Sequence, residues 1–374
     1  MAEMKILITG SSGFIGKNLV ANLSLRHQLE LLPFDLPQTI GDLERLVHQA
    51  DIIFHLAGVN RPSNPEEFRS GNADLTKTLL DMLEGEDRKI PVIISSSTQA
   101  EMDNPYGRSK KEAEDLVFDY AKKNDAPAYV YRFPNVFGKW CRPNYNSVVA
   151  TFCHNTANNI PLRIDDPAKE LTLLYIDDII AEFVKIIGGE ALPQADAVLS
   201  VSPVYKITLG DLAKTVASFA DSRRSITQDY DRNDPFIQKL YATYISHINP
   251  DDLGIAAEMK RDERGFFAEL IKSPYFGQIS VSRTKPGVTR GSHWHNTKAE
   301  KFIVISGRAV IRLRKIGAEE IIEYPVSGDE IRIIDIPPGY THNILNVGEE
   351  DVLTIIWAGE LFDPETPDTI FEKV

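Results

Sequence analysis

The feature that most constrains this chain is an apolar segment that runs directly into a glycine-rich turn. Residues 4–16 read MKILITGSSGFIG, a run of strand length followed by the start of a segment with helical spacing. Glycines at this spacing allow a tight bend, close approach of the backbone to a ligand and packing of a helix against the strand. The segment therefore predicts a strand–turn–helix unit that binds a pyrophosphate at the helix N-terminus. Its candidate cofactor contacts are Gly10, Gly13, Phe14, Ile15 and Gly16.

Strand and helix signals continue to alternate after this unit. Apolar runs of strand length occupy residues 5–9, 29–34, 51–56, 91–96 and 128–133. Helical spacing fills residues 67–83 and 105–122, and Asn104 and Pro105 suit the cap and first position of the second helix. This alternation predicts an α/β fold, a Rossmann-type doubly wound parallel sheet with helices on both faces. Further helices are expected over residues 212–219, after a start signal at 208–211, and over residues 230–247.

The pattern changes at residues 249–252, which read NPDD. Beyond them the segments are short, β-rich and punctuated by glycine, as in residues 310–314 and 330–336. This is typical of an all-β barrel or sandwich. A chain of 374 residues also exceeds what one core normally organises. We therefore expect two domains, residues 1–248 and residues 249–374.

Composition limits the partners. The formal net charge of −13 disfavours a polyanion, so no nucleic acid is expected. No apolar run approaches the length of a membrane span, and the chain does not begin like a signal peptide. Cys141 and Cys153 are too few for a disulfide framework. We expect a cytoplasmic protein that does not associate with membranes.

Asp35 follows Gly16 by nineteen residues and ends the second predicted strand. An acidic residue at this place hydrogen-bonds the ribose of a dinucleotide and favours NAD over NADP. The alternative interpretation is a solvated turn residue before Pro37.

Residues 106–110 read YGRSK and place a phenol and an ammonium on one helix face. Positive charge near Tyr106 favours its tyrosinate, so the phenol can exchange a proton with a carbonyl or an alcohol. Three serines at 95–97 end the preceding strand, where a hydroxyl can orient the same carbonyl. The candidate catalytic residues are Tyr106, Lys110 and Ser97, with Ser96 as the alternative to Ser97.

Together these residues resemble the extended short-chain dehydrogenase/reductase family of nucleotide-sugar epimerases, dehydratases and reductases. The resemblance covers about residues 4–245 and includes HLAG at 55–58, Asn72, RFPNVFG at 132–138 and YIDD at 175–178. It implies that Tyr106 and Lys110 also contact the cofactor, and that Asn135 contacts a sugar nucleotide. The further cofactor contacts that it implies are Leu56, Ala57 and Gly58.

The second half of the chain carries a candidate metal site. His293, His295, Glu300 and His342 form a set of three histidines and one carboxylate. Two histidines in an HxH pair on a strand point to one face, and a returning strand can bring the third opposite them. These ligands suit zinc, iron, manganese or nickel. A surface or structural histidine pair is the alternative.

The glycines at 287 and 307 and the segment 337–346 resemble the two motifs of the cupin family. The second motif departs from the pattern, because Gly328 lies farther from its proline than usual. The resemblance implies a cupin β-barrel with one divalent metal, for which we favour zinc.

Residues 262–269 (DERGFFAE) and 287–293 (GVTRGSH) also resemble deoxysugar 3,5-epimerases of the dTDP-rhamnose type. That resemblance implies His293 as the base, and substrate contacts from Arg264, Glu269 and Arg290. A pair of arginines suits a diphosphate. The two resemblances conflict at His293, because a histidine whose lone pair binds a metal cannot also take a proton. Tyr340 is the available guess for the partner tyrosine of the rhamnose epimerases.

As a whole, the chain resembles bifunctional capsule-polysaccharide enzymes in which an extended short-chain dehydrogenase/reductase is fused to a cupin epimerase. Residues 139–147 (KWCRPNYNS) and 362–368 (FDPETPD) support this resemblance. It implies a homodimer that epimerises C3 of a UDP-4-keto-6-deoxy-HexNAc in the cupin domain. NADPH-dependent reduction of C4 would follow in the first domain, giving UDP-2-acetamido-2,6-dideoxy-L-talose for UDP-N-acetyl-L-fucosamine and capsule synthesis.

In this scheme Tyr106 donates the proton, Lys110 holds the nicotinamide ribose and Ser97 orients the carbonyl. Asp35 keeps NADH open as the cofactor. One alternative is a simple sugar-nucleotide 4-ketoreductase whose cupin domain is a metal-stabilised dimerisation scaffold. Another is a regulator that binds the dinucleotide without turnover.

Overall fold

A parallel sheet forms the centre of the first of two units into which the chain divides. The computed structural model describes residues 3–84, 88–190, 197–231 and 233–374. Strands in the first unit are β1 (Met4–Thr9), β2 (Leu29–Phe34), β3 (Ile52–His55), β4 (Val92–Ser97), β5 (Ala128–Phe133), β6 (Asn135–Phe137), β7 (Glu170–Tyr175), β8 (Val198–Leu199) and β9 (Val204–Thr208). The main sheet has the order β2-β1-β3-β4-β5-β8, with every neighbouring pair parallel. A small sheet has the order β6-β7-β9.

Helices flank this sheet because the connections between its parallel strands must cross over a face. The α-helices that the structure describes are α1 (Phe14–Leu23), α2 (Ile40–Val47), α3 (Glu66–Arg69), α4 (Leu75–Leu83), α5 (Pro105–Asn124), α6 (Val148–Ala157), α7 (Ile176–Ile187), α8 (Leu209–Arg224) and α9 (Pro235–Ile245). Successive strand residues pack on opposite faces. Leu7 belongs to one buried cluster with Leu79 and Val117, whereas Ile8 belongs to another with Phe54. The predicted doubly wound α/β fold is confirmed.

Two predicted helices differ from the observed ones. The helix expected over 67–83 is divided by a π-helical turn, Ser70–Asp74, between α3 and α4. The helix expected over 230–247 begins only at Pro235, because the Asp234 carboxylate accepts a hydrogen bond from the Phe236 amide at 2.8 Å and caps it there. At α5, by contrast, Asn104 caps the helix as predicted.

The second unit is β-rich and contains Ser218–Asp231 and Pro250–Val374. The segment before residue 232 joins this unit through a bridge between Thr227 and Lys272. Strands are β10 (Met259–Asp262), β11 (Gly265–Ser273), β12 (Gly277–Thr284), β13 (Thr289–Trp294), β14 (Glu300–Ser306), β15 (Arg308–Lys315), β16 (Ile321–Ser327), β17 (Ile333–Ile336), β18 (Tyr340–Asn346), β19 (Val352–Ala358) and β20 (Ile370–Phe371).

Two antiparallel sheets form this unit, in the orders β10-β11-β12-β19-β14-β17 and β16-β15-β18-β13-β20. Their inner faces bury an apolar cluster that includes Phe302, Ile311, Ile334 and Ile344. This architecture confirms the expected β-rich, cupin-like domain. In the part of the chain that the structure describes, no helix is long and apolar enough to cross a membrane.

Candidate active sites

The glycine-rich turn after β1 is so closely packed that its glycines are required. Gly10 has φ +68°, and a Cβ atom there would lie 2.6 Å from the Ala57 amide nitrogen. A Cβ atom on Gly16 would lie 2.1 Å from the Gly10 carbonyl oxygen. The turn and the residues after β3 therefore lie side by side at the carboxyl ends of two adjacent parallel strands. This is the crevice in which doubly wound sheets bind nucleotides.

Asp35 lies directly against this turn. Its carboxylate accepts a hydrogen bond from the Ser12 amide at 2.8 Å, although β2 and the turn are separate in sequence. The side chain is therefore close to where a dinucleotide bound at the turn would place its ribose.

Tyr106 and Lys110 lie on the first turns of α5, behind the end of β4. Burial raises the pKa of Tyr106, and a hydrogen bond with the nearby Ser97 hydroxyl opposes this rise. The Lys110 ammonium donates to the Ser95 carbonyl at 3.0 Å and lies 6.0 Å from the Tyr106 ring centroid. Burial lowers the pKa of Lys110 to about 8, and the negative charge of Glu114 partly opposes this decrease.

The two candidate serines differ in what they contact. The Ser96 hydroxyl donates to the buried Glu114 carboxylate at 2.5 Å, and Glu114 also pairs with Arg132 at 2.7 Å. The Ser97 hydroxyl instead accepts from the Gln99 amide at 3.2 Å and faces Tyr106. This geometry favours Ser97 as the hydroxyl that faces a substrate and gives Ser96 a structural contact.

Asn72 connects the loop after β3 with α5. Its side chain exchanges two hydrogen bonds of 3.1 Å with the Val59 backbone and donates a third to the Ser109 hydroxyl. A Cβ atom on Gly58 would lie 2.7 Å from the Asn72 side-chain oxygen and 3.2 Å from the Lys110 ammonium. Gly58 therefore lies next to the Tyr–Lys pair, with Leu56 and Ala57 before it.

The remaining candidate of this unit, Asn135, is exposed on β6 and donates to the Thr172 carbonyl at 3.4 Å. Sequence reasoning missed Tyr145, which is close enough to Tyr106 to raise the pKa of that phenol. The Arg142 guanidinium lies 5.3 Å from the Tyr145 ring centroid. Both residues belong to the segment 139–147, whose sequence supports the resemblance to capsule-polysaccharide enzymes but does not by itself indicate a role in the site.

In the second unit, four predicted ligands converge. His293 pairs with His342 across β13 and β18, His295 follows β13, and Glu300 begins β14. One potential ligand atom from each of the four lies within 4.8 Å of the others. The Glu300 Oε2 atom is 3.2 Å from His295 Nε2 and 3.1 Å from His342 Nε2. His295, Glu300 and His342 are buried, and His293 is half-buried.

The donors in this cluster fit a divalent metal. Within the described chain, His295 Nε2, His342 Nε2 and Glu300 Oε2 are buried and have no hydrogen-bond partner. Zn–N distances of about 2.0–2.1 Å place tetrahedral ligands about 3.3 Å apart, close to the observed separations. The Nδ1 atoms of His295 and His342 contact the backbone carbonyls of Asp368 and Tyr340. These contacts aim both Nε2 atoms into the cluster.

The Asp368 carboxylate fixes the loop that connects two of the candidate metal ligands, His295 and Glu300. Its carboxylate accepts backbone hydrogen bonds from Asn296, Thr297 and Lys298 at 2.8, 3.0 and 3.2 Å. These bonds hold the pKa of Asp368 well below its usual range. Sequence reasoning missed this residue because it lies about seventy positions from the loop that it caps.

We expect Asp368→Asn to lower the affinity for Zn²⁺ about 10–100-fold, because the amide presents a donor where the loop needs an acceptor. Competition with a chromogenic chelator measures the Zn²⁺ affinity of each variant. The matched control is Asp363→Asn, which breaks only bonds to Glu365 and Thr366 in the same tail. Equal affinities of the two variants would show that the Asp368 carboxylate does not order the site.

A cavity of about 430 Å³ opens beside the cluster. Arg264, Glu269, Arg290 and His293, which the sequence grouped as a substrate site, all line it. Asp262 joins the two arginines, at 2.6 Å from Arg264 and 3.0 Å from Arg290. A diphosphate could be held between such paired guanidinium groups.

Two further side chains change the predicted picture of this cavity. Tyr340 packs against the apolar core and is absent from the described residues that line the cavity, so the structure does not support it as a partner in catalysis. Lys298 does line the cavity and is buried, although no motif pointed to it.

The fold and the first site define an NAD(P)-dependent enzyme of the short-chain dehydrogenase/reductase class. The family described as "NAD dependent epimerase/dehydratase family" matches residues 6–196, and "Polysaccharide biosynthesis C-terminal domain" matches residues 260–370. The chain is 44% identical to UDP-2-acetamido-2,6-beta-L-arabino-hexul-4-ose reductase of Pseudomonas aeruginosa, with 98% of each chain covered.

The structure matches that of the capsular polysaccharide assembling protein CapF of Staphylococcus aureus with a TM-score of 0.92 and 44% identity, covering 99% of this chain and 100% of CapF. The spore coat polysaccharide biosynthesis protein SpsL of Bacillus subtilis is 29% identical over 29% of this chain and 78% of its own length. The chain belongs to the NAD dependent epimerase/dehydratase family, in the group that contains the P. aeruginosa reductase and CapF. The predicted resemblance to these capsule-polysaccharide enzymes is confirmed.

Proposed function

We propose that this chain performs two consecutive reactions on one UDP-4-keto-6-deoxy-HexNAc. The second unit epimerises C3, and the first unit then reduces the C4 ketone with NADPH to give UDP-2-acetamido-2,6-dideoxy-L-talose. One observation carries the proposal: the β-rich unit has a cavity that combines paired arginines with a cluster of four converging ligands. A simple scaffold would not need such a cavity. The P. aeruginosa relative is named as a hexul-4-ose reductase, which supports a 4-keto sugar as the substrate.

The order of the two steps follows from the chemistry of the ketone. A carbonyl at C4 makes the C3–H bond acidic, because the negative charge left behind spreads onto the oxygen. Reduction of C4 removes that carbonyl and fixes the configuration at C3. Epimerisation must therefore come first, and reduction makes the sequence effectively irreversible.

In the reductase site, Tyr106 donates a proton to the C4 oxygen while the dinucleotide supplies hydride. The Lys110 ammonium favours the tyrosinate that remains and holds the nicotinamide ribose. Ser97, which faces Tyr106, orients the carbonyl. Such positioned proton transfer contributes about 10²–10⁴-fold to rate.

In the epimerase site, we assign His293, His295, Glu300 and His342 to one divalent metal, which would supply a Lewis acid. The position of the His293 ring supports this assignment, because its centroid lies 4.5 Å from that of His342 and 5.0 Å from that of His295. We therefore prefer metal binding to the role of a base for His293. Arg264 and Arg290 bind the diphosphate of the sugar-nucleotide substrate, and Glu269 also contacts this substrate.

Asp35 gives a test of the cofactor. If NADPH is used, the carboxylate next to the turn repels the 2′-phosphate, so Asp35→Asn should raise the NADPH/NADH ratio of kcat/KM about tenfold, a change of about 1.4 kcal/mol. Steady-state oxidation of both cofactors measures the ratio. The control is Asp42→Asn, whose carboxylate caps α2. An unchanged ratio for Asp35→Asn would remove Asp35 from the cofactor site.

The proposal is tested with the UDP-4-keto-6-deoxy-HexNAc substrate and NADPH in deuterated water, with the product analysed by NMR. Deuterium at C3 together with cofactor oxidation is the expected result. Cofactor oxidation without deuterium at C3 would instead identify a simple 4-ketoreductase with a metal-stabilised β-rich scaffold.

A further inference from the structure

The inward face of β12 is polar, although it lies in the interior of the β-rich unit. Gln278, Ser280 and Ser282 alternate along the strand and are 7%, 1% and 4% exposed. Ile279 and Val281 lie on the other face and are less buried. A strand with one buried face normally places its apolar side chains inward and its polar ones outward. The three polar side chains all line the cavity of about 430 Å³, so the reversed pattern indicates a surface that binds a polar ligand.

Two polar atoms of this surface lack a hydrogen-bond partner. Within the described chain, Gln278 Oε1 and Thr354 Oγ1 are buried without one. Gln278 Nε2 donates to the Ser280 hydroxyl at 3.1 Å, which leaves Oε1 as an unused acceptor. Thr354 lies opposite Ser282 on β19, is 1% exposed and also lines the cavity. Because an unpaired buried polar group is destabilising, the two atoms point to a ligand that pairs with them.

The spacing of these two groups fits a secondary amide. The bond to Ser280 brings the Gln278 amide to the level of that serine, and Thr354 is level with Ser282, two residues farther along β12. Two residues span about 7 Å and neighbouring strands lie about 5 Å apart, so the groups are separated by roughly 8 Å. A trans amide directs its N–H and C=O to opposite sides. With hydrogen bonds of about 2.9 Å at each end, its two partners also lie about 8 Å apart.

An apolar row lies beside the polar one. Ile356 is opposite Ser280 on the neighbouring strand, and Phe302 is opposite Ile356. Both side chains line the same cavity. A methyl group on the amide carbonyl would be removed from water against them, which favours binding. An acetamido group combines all three features, an N–H donor, a carbonyl acceptor and a methyl group.

We propose that Gln278 and Thr354, beside this apolar row, form a subsite that binds the 2-acetamido group of the substrate. Gln278 Oε1 accepts a hydrogen bond from the acetamido N–H, and the Thr354 hydroxyl donates one to the acetamido carbonyl. The methyl group packs against Phe302 and Ile356. A sugar with a hydroxyl at C2 leaves at least one of the two polar atoms unpaired, so the subsite selects against it. This inference rests on the proposed epimerase function.

The test compares C3 deuterium exchange in the UDP-4-keto-6-deoxy-HexNAc with exchange in its analogue that carries a hydroxyl at C2, both without NADPH. The wild-type kcat/KM should favour the acetamido sugar. In Thr354→Val this preference should fall about tenfold, or about 1.4 kcal/mol, as expected for one lost hydrogen bond. Gln278→Met should lower it similarly. The Zn²⁺ content should stay that of the wild type, and the Tm of Thr354→Val should be unchanged or raised, because valine removes an unpaired hydroxyl.

Thr284→Val is the matched control. Thr284 also lies on the inward face of β12, is fully buried and has an Oγ1 atom without a partner within the described chain. It is absent from the described residues that line the cavity. The same substitution there should leave the preference for the acetamido sugar unchanged.

A preference in Thr354→Val within about twofold of the wild type would overturn the inference. An equal loss in Thr284→Val, or an equal fall of exchange in both sugars, would also overturn it, because Thr354 would then support the fold and not recognise the substituent. Wild-type exchange without a preference contradicts this inference alone. Absence of exchange from both sugars contradicts the epimerase function itself.

Discussion

Phenylalanine at position 106 is expected to abolish reduction while C3 exchange continues. The substitution removes only the phenol oxygen, which in our proposal gives its proton to the C4 oxygen as hydride arrives. The ring still packs against Phe68, whose centroid lies 5.6 Å away, so α5 and the Lys110 contact to Ser95 are retained. The expected loss in kcat is about 10²–10⁴-fold.

Two assays separate the effects of Tyr106→Phe. NADPH oxidation measures the reductase, and deuterium uptake at C3 without NADPH measures the second unit. Tyr120→Phe is the matched control, because it lies on the same helix and its hydroxyl donates to the Ile90 carbonyl within the core. Reduction by Tyr106→Phe at more than about a tenth of the wild-type rate would remove the phenol from its assigned role.

Local patterns in the sequence were sufficient to predict β1 to β5 of the first unit, but not its shorter strands β6, β8 and β9 or β7. β2 and β5 have the predicted bounds because each is a mainly apolar run of strand length. The π-helical turn around Asn72 was not predictable, since the residues 67–83 keep a helical spacing of apolar side chains throughout. That turn directs the Asn72 amide to the Val59 backbone, a contact that depends on the loop after β3.

The same distinction holds for the two sites. Gly10, Tyr106 and the HxH pair could be found because their chemistry depends on short spacings along the chain. Asp368 could not, because the backbone amides that its carboxylate binds lie about seventy positions away in the sequence.

His342→Ala is expected to abolish C3 exchange and to leave the reductase site intact. This is the reverse of the effect expected for Tyr106→Phe. His342 is fully buried, lies opposite His293 on the neighbouring strand of the same sheet, and its Nε2 atom is 3.1 Å from Glu300 Oε2. In the proposed epimerase site, His342→Ala leaves the metal one ligand short, so we expect bound zinc and C3 exchange both to be lost. Lewis acidity worth several kcal/mol corresponds to about a thousandfold or more in the exchange rate. Metal analysis after dialysis and NMR in deuterated water measure both effects.

Mixing the two variants tests whether two independent sites act in one chain. Each unit has its own buried core, so His342→Ala should leave the reductase folded and Tyr106→Phe should leave the epimerase folded. Neither variant alone should form the reduced, C3-deuterated sugar, whereas an equimolar mixture should form it, because the keto intermediate can diffuse from one protein to the other. Deuterium at C3 produced by His342→Ala alone would show that the metal cluster is dispensable for epimerisation.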